Sequence, residues 1–125
     1  MPVIFSATNG PFAAGATPRW TGQIFDDAGV PISAAQLASL TLSIVDTLSG
    51  QVINGADAVS ILNTGRGTVD AQGNVVLKLE VGDTAMTETT SRQVQRSLVF
   101  DWTYNGGVSA GRHQTNFMLV QLAGD

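Results

Sequence analysis

The chain has 125 residues, 43% of them hydrophobic and 13% charged, so we expect one globular domain and not a disordered segment. Its net charge of −4, with only scattered basic residues, argues against a nucleic-acid partner. The absence of cysteine excludes disulfides and cysteine-based zinc sites. No segment approaches the ~20 apolar residues of a membrane helix, so no membrane partner is expected.

Residues 1–17 are predicted to form an irregular arm. Prolines and glycines interrupt residues 1–17, yet the segment carries several large apolar side chains. We therefore divide the chain into an N-terminal arm, residues 1–17, and a β-sandwich domain, residues 18–125. The arm needs a surface to lie on, and the sequence leaves open whether its own domain or a neighbouring subunit provides it. The arm residues that we select as partner contacts are Val3, Ile4, Phe5 and Phe12.

Apolar side chains recur with a period of two along the next segments, as in half-buried strands. Residues 19–26 predict a first strand, followed by a turn at Asp27–Gly29. Leu40, Leu42 and Ile44 then alternate with smaller residues and predict a second strand. The pattern indicates antiparallel strands joined by short turns.

Two hairpins are predicted in the second half of the chain. Residues 67–70 and 75–81 flank a tight turn, and Val81 is expected on the apolar face of the second of these strands. A polar loop over 82–91, with at most one helical turn, precedes a strand over 93–104 whose even positions are nearly all apolar. After a glycine-rich turn comes the last strand, 111–122. From its apolar end we select three further partner contacts, Phe117, Leu119 and Leu122.

The strand count and the lack of a long helix define the fold class. We predict an all-β protein, an antiparallel immunoglobulin-like β-sandwich of about seven strands with an irregular N-terminal arm.

Catalytic chemistry has little support in the residues. His113 is the only histidine, and no Gly-x-Ser-x-Gly elbow accompanies it. We expect no enzyme, no catalytic residue and no cofactor. A small hydrolase built on His113 and a carboxylate remains the enzymatic alternative.

Binding motifs are equally sparse. Asp26 and Asp27 precede a glycine and suit a turn better than a calcium loop, so no metal site is assigned, although a weak ion site stays open. Residues 64–68 resemble a phosphate loop but lack its Lys-Ser/Thr ending. Four aromatic residues favour the core over a glycan-stacking platform: Trp20, Phe100, Trp102 and Tyr104.

Four segments in this order resemble small structural virion proteins of tailed bacteriophages. They are RWTGQIFDDAGVPIS, LTLSIVDTLSGQVING, TVDAQGNVVLKLEVGDTAM and RSLVFDWTYNGGVSAGRHQTNFMLV. The shared features are a polar turn after the first strand, a Leu-x-Leu-x-Ile strand with a Thr-x-x-Gly hairpin, and an aromatic strand before a Gly-Gly turn. The resemblance covers most of the chain, leaves out the arm, and includes no catalytic residue.

The resemblance implies a non-enzymatic structural protein of the virion, assembled in the host cytoplasm. Its partners would be other virion proteins, namely portal, capsid or tail proteins, and it would form a homo-oligomer in a symmetric assembly. A head/neck connector or capsid decoration subunit is the first expectation. A tail or baseplate adaptor, or a glycan-binding module for host recognition, is the alternative.

Overall fold

The computed structural model describes residues 3–6, 12–13, 17, 19–85 and 93–120. Within them the chain forms nine strands and one short helix. The elements are β1 (Val3–Ser6), β2 (Phe12–Ala13), β3 (Arg19–Phe25), β4 (Leu37–Asp46), β5 (Val59–Ser60), β6 (Gly67–Val69), β7 (Asn74–Lys78), α1 (Val81–Thr84), β8 (Gln93–Tyr104) and β9 (Ser109–Val120).

The strands form two sheets. Sheet I has the order β1-β3-β7-β6, and sheet II has the order β2-β9-β8-β4-β5. Every pairing is antiparallel except that of β2 with β9. We letter the seven strands longer than two residues A to G in chain order. The two sheets then have the strand orders ABED and CFG, as in a constant-type immunoglobulin sandwich. The predicted all-β antiparallel sandwich is thus confirmed, and the topology by itself carries no function.

One core lies between the sheets, because period-two alternation turns every second side chain inward. In β4 the inward residues Leu40, Leu42 and Ile44 are fully buried. The other strands contribute in the same way, with Trp20 and Ile24, Val75 and Leu77, Leu98, Phe100 and Trp102, and Phe117 and Leu119.

The end of β7 departs from the predicted strand. β7 stops at Lys78, and Val81 begins α1 with 58% of its surface exposed instead of facing the core. Leu79 is still buried, so alternation persists for one residue beyond the strand. The chain turns at this point because Asp83 accepts a hydrogen bond from the backbone N–H of Glu80 (2.7 Å).

The outer edge of β6 is covered by its own preceding loop. The N–H of Gly67 donates to the carbonyl of Thr64 (3.2 Å), and the N–H of Val69 donates to Oδ1 of Asn63 (2.7 Å). A Cβ on Gly67 would clash with the carbonyl oxygen of Ile61, so the loop packs directly on the strand. These edge donors therefore already have partners within the chain.

Candidate interaction surface

The residues selected as partner contacts fall into three groups. The arm residues Val3, Ile4 and Phe5 lie in β1, whose backbone pairs with β3, and Phe12 lies in β2 opposite Leu119 of β9. The described parts of the arm thus extend both sheets of their own domain. Leu122 lies outside the described residues.

Phe117 and Leu119 are placed in the core and not on a contact surface. Their exposed fractions are 1% and 0%, and both belong to the core cluster. Met118 lies between them, faces outward and is 36% exposed. Within Phe117–Leu119, Met118 is therefore the large apolar side chain that faces away from the core.

His113 lies on β9 opposite Phe100 and is half-buried. Burial lowers the pKa of its imidazole below the usual 6.5, which favours the neutral form. No described carboxylate forms a hydrogen bond or ion pair with it. The contacts of His113 thus give no support to a Ser-His-Asp arrangement.

The candidate glycan platform is part of the core. Trp20, Phe100 and Trp102 are at most 1% exposed and Tyr104 is 7% exposed. Trp20 stacks on Phe100 with ring centroids 4.7 Å apart. The predicted core role of these four aromatics is confirmed.

The two weaker motifs are explained by local structure. Oδ1 of Asp26 accepts hydrogen bonds from the N–H groups of Ala28 and Val30, both 2.9 Å, as a turn-forming aspartate does. Residues 64–68 lead into β6 and open no helix. Among the described residues, no three His, Cys, Asp or Glu side chains are grouped to hold a metal ion, and no helix is long and apolar enough to cross a membrane.

The outward surface of sheet II has an unusual composition for an exposed sheet. We call it the polar face and define it by the outward residues of β4, β8 and β9. Most are hydroxyl or amide residues, and they include Ser39, Thr41, Ser43, Gln95, Ser97, Val99, Asp101, Thr103, Arg112, Gln114, Asn116 and Met118. The only charges among these are Asp101 and Arg112, which pair with each other at 3.3 Å.

Hydrogen bonds between side chains fix the centre of the polar face. The hydroxyl of Ser97 donates to Oδ1 of Asn116 (2.8 Å), accepts from Nε2 of Gln114 (3.0 Å) and lies 3.1 Å from the hydroxyl of Thr47. Nearer one end, the hydroxyls of Ser39 and Thr103 are 2.7 Å apart. Ser97 is only 1% exposed although it points away from the core. Hydrogen bonds within the chain therefore order side chains of the polar face.

A buried polar cluster fixes the segment between β7 and β8. Asp83 is fully buried, and its Oδ1 accepts from Nη1 of Arg66 (2.9 Å) and Nδ2 of Asn54 (3.0 Å). Arg96 projects into the same region and donates to the backbone carbonyls of Asp83 and Ala85, both at 2.6 Å. Both carboxylate oxygens of Asp83 thus accept hydrogen bonds inside the protein, which indicates a structural role.

Sequence reasoning did not identify the polar face or the buried cluster. The alternation in β4 and β8 gave the signal for the polar face, because the outward residues are hydroxyls and amides and not Lys or Glu. Nothing in the sequence links Arg66 to Asp83, since their contact depends on the tertiary fold.

In comparisons with known proteins, no family model, no curated protein and no solved structure matched the chain.

Proposed function

We propose that this protein is a non-enzymatic structural subunit of a tailed-phage virion that binds other virion proteins through the polar face. The observation that supports the binding role is the preordered, nearly uncharged surface of sheet II. Interface centres are depleted of charged residues, because each buried charge must be desolvated. Hydrogen bonds that already order the side chains reduce the entropy lost on binding.

The virion context of the proposal rests on the resemblance of the four sequence segments. A head/neck connector or a capsid decoration subunit is the first assignment, with portal, capsid or tail proteins as partners. A symmetric homo-oligomer would repeat the same contact around the particle. The tail or baseplate adaptor uses the same kind of contact at another place, so particle imaging distinguishes the two.

The first experiment locates the protein. Purified particles are labelled with an antibody against this chain and imaged. Label on the head vertex or shell supports the connector or decoration role, and label on the tail tip supports the adaptor. An antibody that binds the free protein and leaves intact and partly disassembled particles unlabelled contradicts the virion assignment.

A second experiment tests the polar face itself. The double variant Gln95→Lys with Gln114→Lys places two charges on exposed positions of that face. We expect a folded protein that no longer enters particles, because the lysines would have to be desolvated at the interface. Gln72→Lys, in the exposed turn between β6 and β7 of sheet I, is the matched control and should be incorporated normally. Equal incorporation of all three forms would contradict binding through this face.

A further inference from the structure

Three basic residues form a row across the outer surface of sheet I. Arg19 of β3 is the register partner of Lys78 of β7, and the N–H of Lys78 donates to the carbonyl of Arg66 (2.8 Å). Residues directly opposite each other on antiparallel strands lie on the same face, and like charges in this arrangement repel. The row holds three of the six basic residues in a chain whose net charge is −4. A generally basic composition therefore does not explain why these three residues lie side by side.

Of the three residues in the row, only Arg66 forms an ion pair with a described residue. It pairs with Glu80 and Asp83, both at 2.9 Å. Arg19 and Lys78 are exposed, and no described residue forms an ion pair with either. Arg19 and Lys78 thus form an exposed, positively charged pair that can attract an anion.

A cavity of about 720 Å³ opens beside Arg19 and Lys78. Small-molecule sites measure about 300–1,000 Å³ and combine mostly apolar walls with a few polar groups. Val76 and Val81 supply accessible apolar surface, and Thr68 adds a hydroxyl. Glu80 also borders the cavity, but its Oε1 accepts hydrogen bonds from Arg66 (2.9 Å) and Asn54 (3.3 Å).

We propose that this cavity binds a small amphiphilic carboxylate. The carboxylate group lies between Arg19 and Lys78, and the apolar part packs against Val76 and Val81. The site lies on sheet I, on the side of the sandwich away from the polar face, so it is independent of the proposed protein-binding surface. It adds a ligand to the proposed structural role.

The test compares three probes on the full chain by calorimetric titration: octanoate, octanamide and inorganic phosphate. We expect saturable binding of octanoate, with octanamide and phosphate at least about tenfold weaker, because each lacks one of the two required features. Octanamide binding as tightly as octanoate would overturn the role of the cations. Phosphate binding as tightly as octanoate would overturn the role of the apolar wall.

Matched variants assign the site. Arg19→Gln with Lys78→Gln should abolish octanoate binding without lowering Tm, since both side chains are exposed and their mutual repulsion is removed. Arg112→Gln, an exposed arginine on sheet II, should leave binding unchanged. Lys78→Glu places an opposite charge beside Arg19, so we expect a higher Tm together with loss of binding. Wild-type octanoate affinity in either Lys78 variant contradicts the proposal.

Discussion

Trp20 of β3 and Phe100 of β8 stack across the two sheets, with ring centroids 4.7 Å apart and planes inclined by 26°. In the constant-type immunoglobulin arrangement these two strands are B and F, which a disulfide joins in antibody domains. This chain has no cysteine, so the stacked rings provide the contact between those strands.

Truncation of this pair should be among the most destabilising changes in the protein. Phe100→Ala removes a fully buried ring that stacks on Trp20, and we expect a loss of about 3–5 kcal/mol in the free energy of unfolding. Urea denaturation followed by tryptophan fluorescence measures it. Phe100→Leu retains most of the volume and should lose clearly less. Equal losses for the two variants would argue against a specific role of the stacking.

The buried polar cluster predicts that substitution of Asp83 destabilises the protein much more than substitution of its acidic neighbour Glu80. Asp83→Ala leaves the Arg66 guanidinium without its fully buried partner and should cost about 3–5 kcal/mol. Glu80→Gln removes a carboxylate that is 56% exposed and should cost about 1 kcal/mol or less. Chemical denaturation of both variants under the same conditions provides the comparison, and similar losses would contradict the structural role of Asp83.

Two glycines with positive φ should respond differently to alanine. Gly73 has φ +75°, and an added Cβ would lie 2.5 Å from the carbonyl oxygen of Ile32. Gly106 has φ +66°, with nothing within 4 Å of an added Cβ. Both substitutions carry the left-handed penalty of about 1–2 kcal/mol, but only Gly73→Ala adds a backbone clash. The melting temperature should therefore fall more for Gly73→Ala.

His113 predicts a pH dependence of stability. Burial lowers its pKa in the folded state below the usual 6.5, so the unfolded chain binds the proton more readily. The contribution to stability is complete above the unfolded pKa and is lost as pH falls through 6.5 towards the folded value. The variant His113→Gln should therefore show a flatter stability profile between about pH 7 and pH 5.

Asp46 and Asp70 affect the stability of the protein in a lower pH range than His113 does. Hydrogen bonds from Ser49 and Asn74, respectively, lower their pKa values from 3.8, so their contributions disappear only below about that pH. Denaturation curves at several pH values resolve the two ranges. An unchanged slope in the histidine variant between neutral and mildly acidic pH would contradict the assignment to His113.

The sequence predicted the elements whose periodicity is strong. β8 matches the predicted range 93–104, because six alternate positions from Val94 to Tyr104 face inward. Arg96 occupies one of those positions and is 1% exposed. The alternation predicts that Arg96 faces inward, but it does not identify the groups that bind its side chain. The carbonyls that receive its hydrogen bonds belong to Asp83 and Ala85, which the fold brings near.

Two features could not be predicted from the sequence: the very short strand β2 and the choice of the inward face of β9. β2 has two residues and exists through its pairing with β9, so no local pattern marks it. Phe117 and Leu119 were selected as partner contacts because their strand ends in a run that is apolar on both faces. Which of the two faces meets the core depends on register, and register is set by pairing with β8.

The covered edge of β6 limits how copies of this protein can associate. A strand whose outward N–H groups are already bonded to Thr64 and Asn63 offers no template on which another chain can extend the sheet. Open strand edges can pair with one another and promote fibrous aggregation. Along this border the loop therefore protects the protein against pairing between the strands of separate copies.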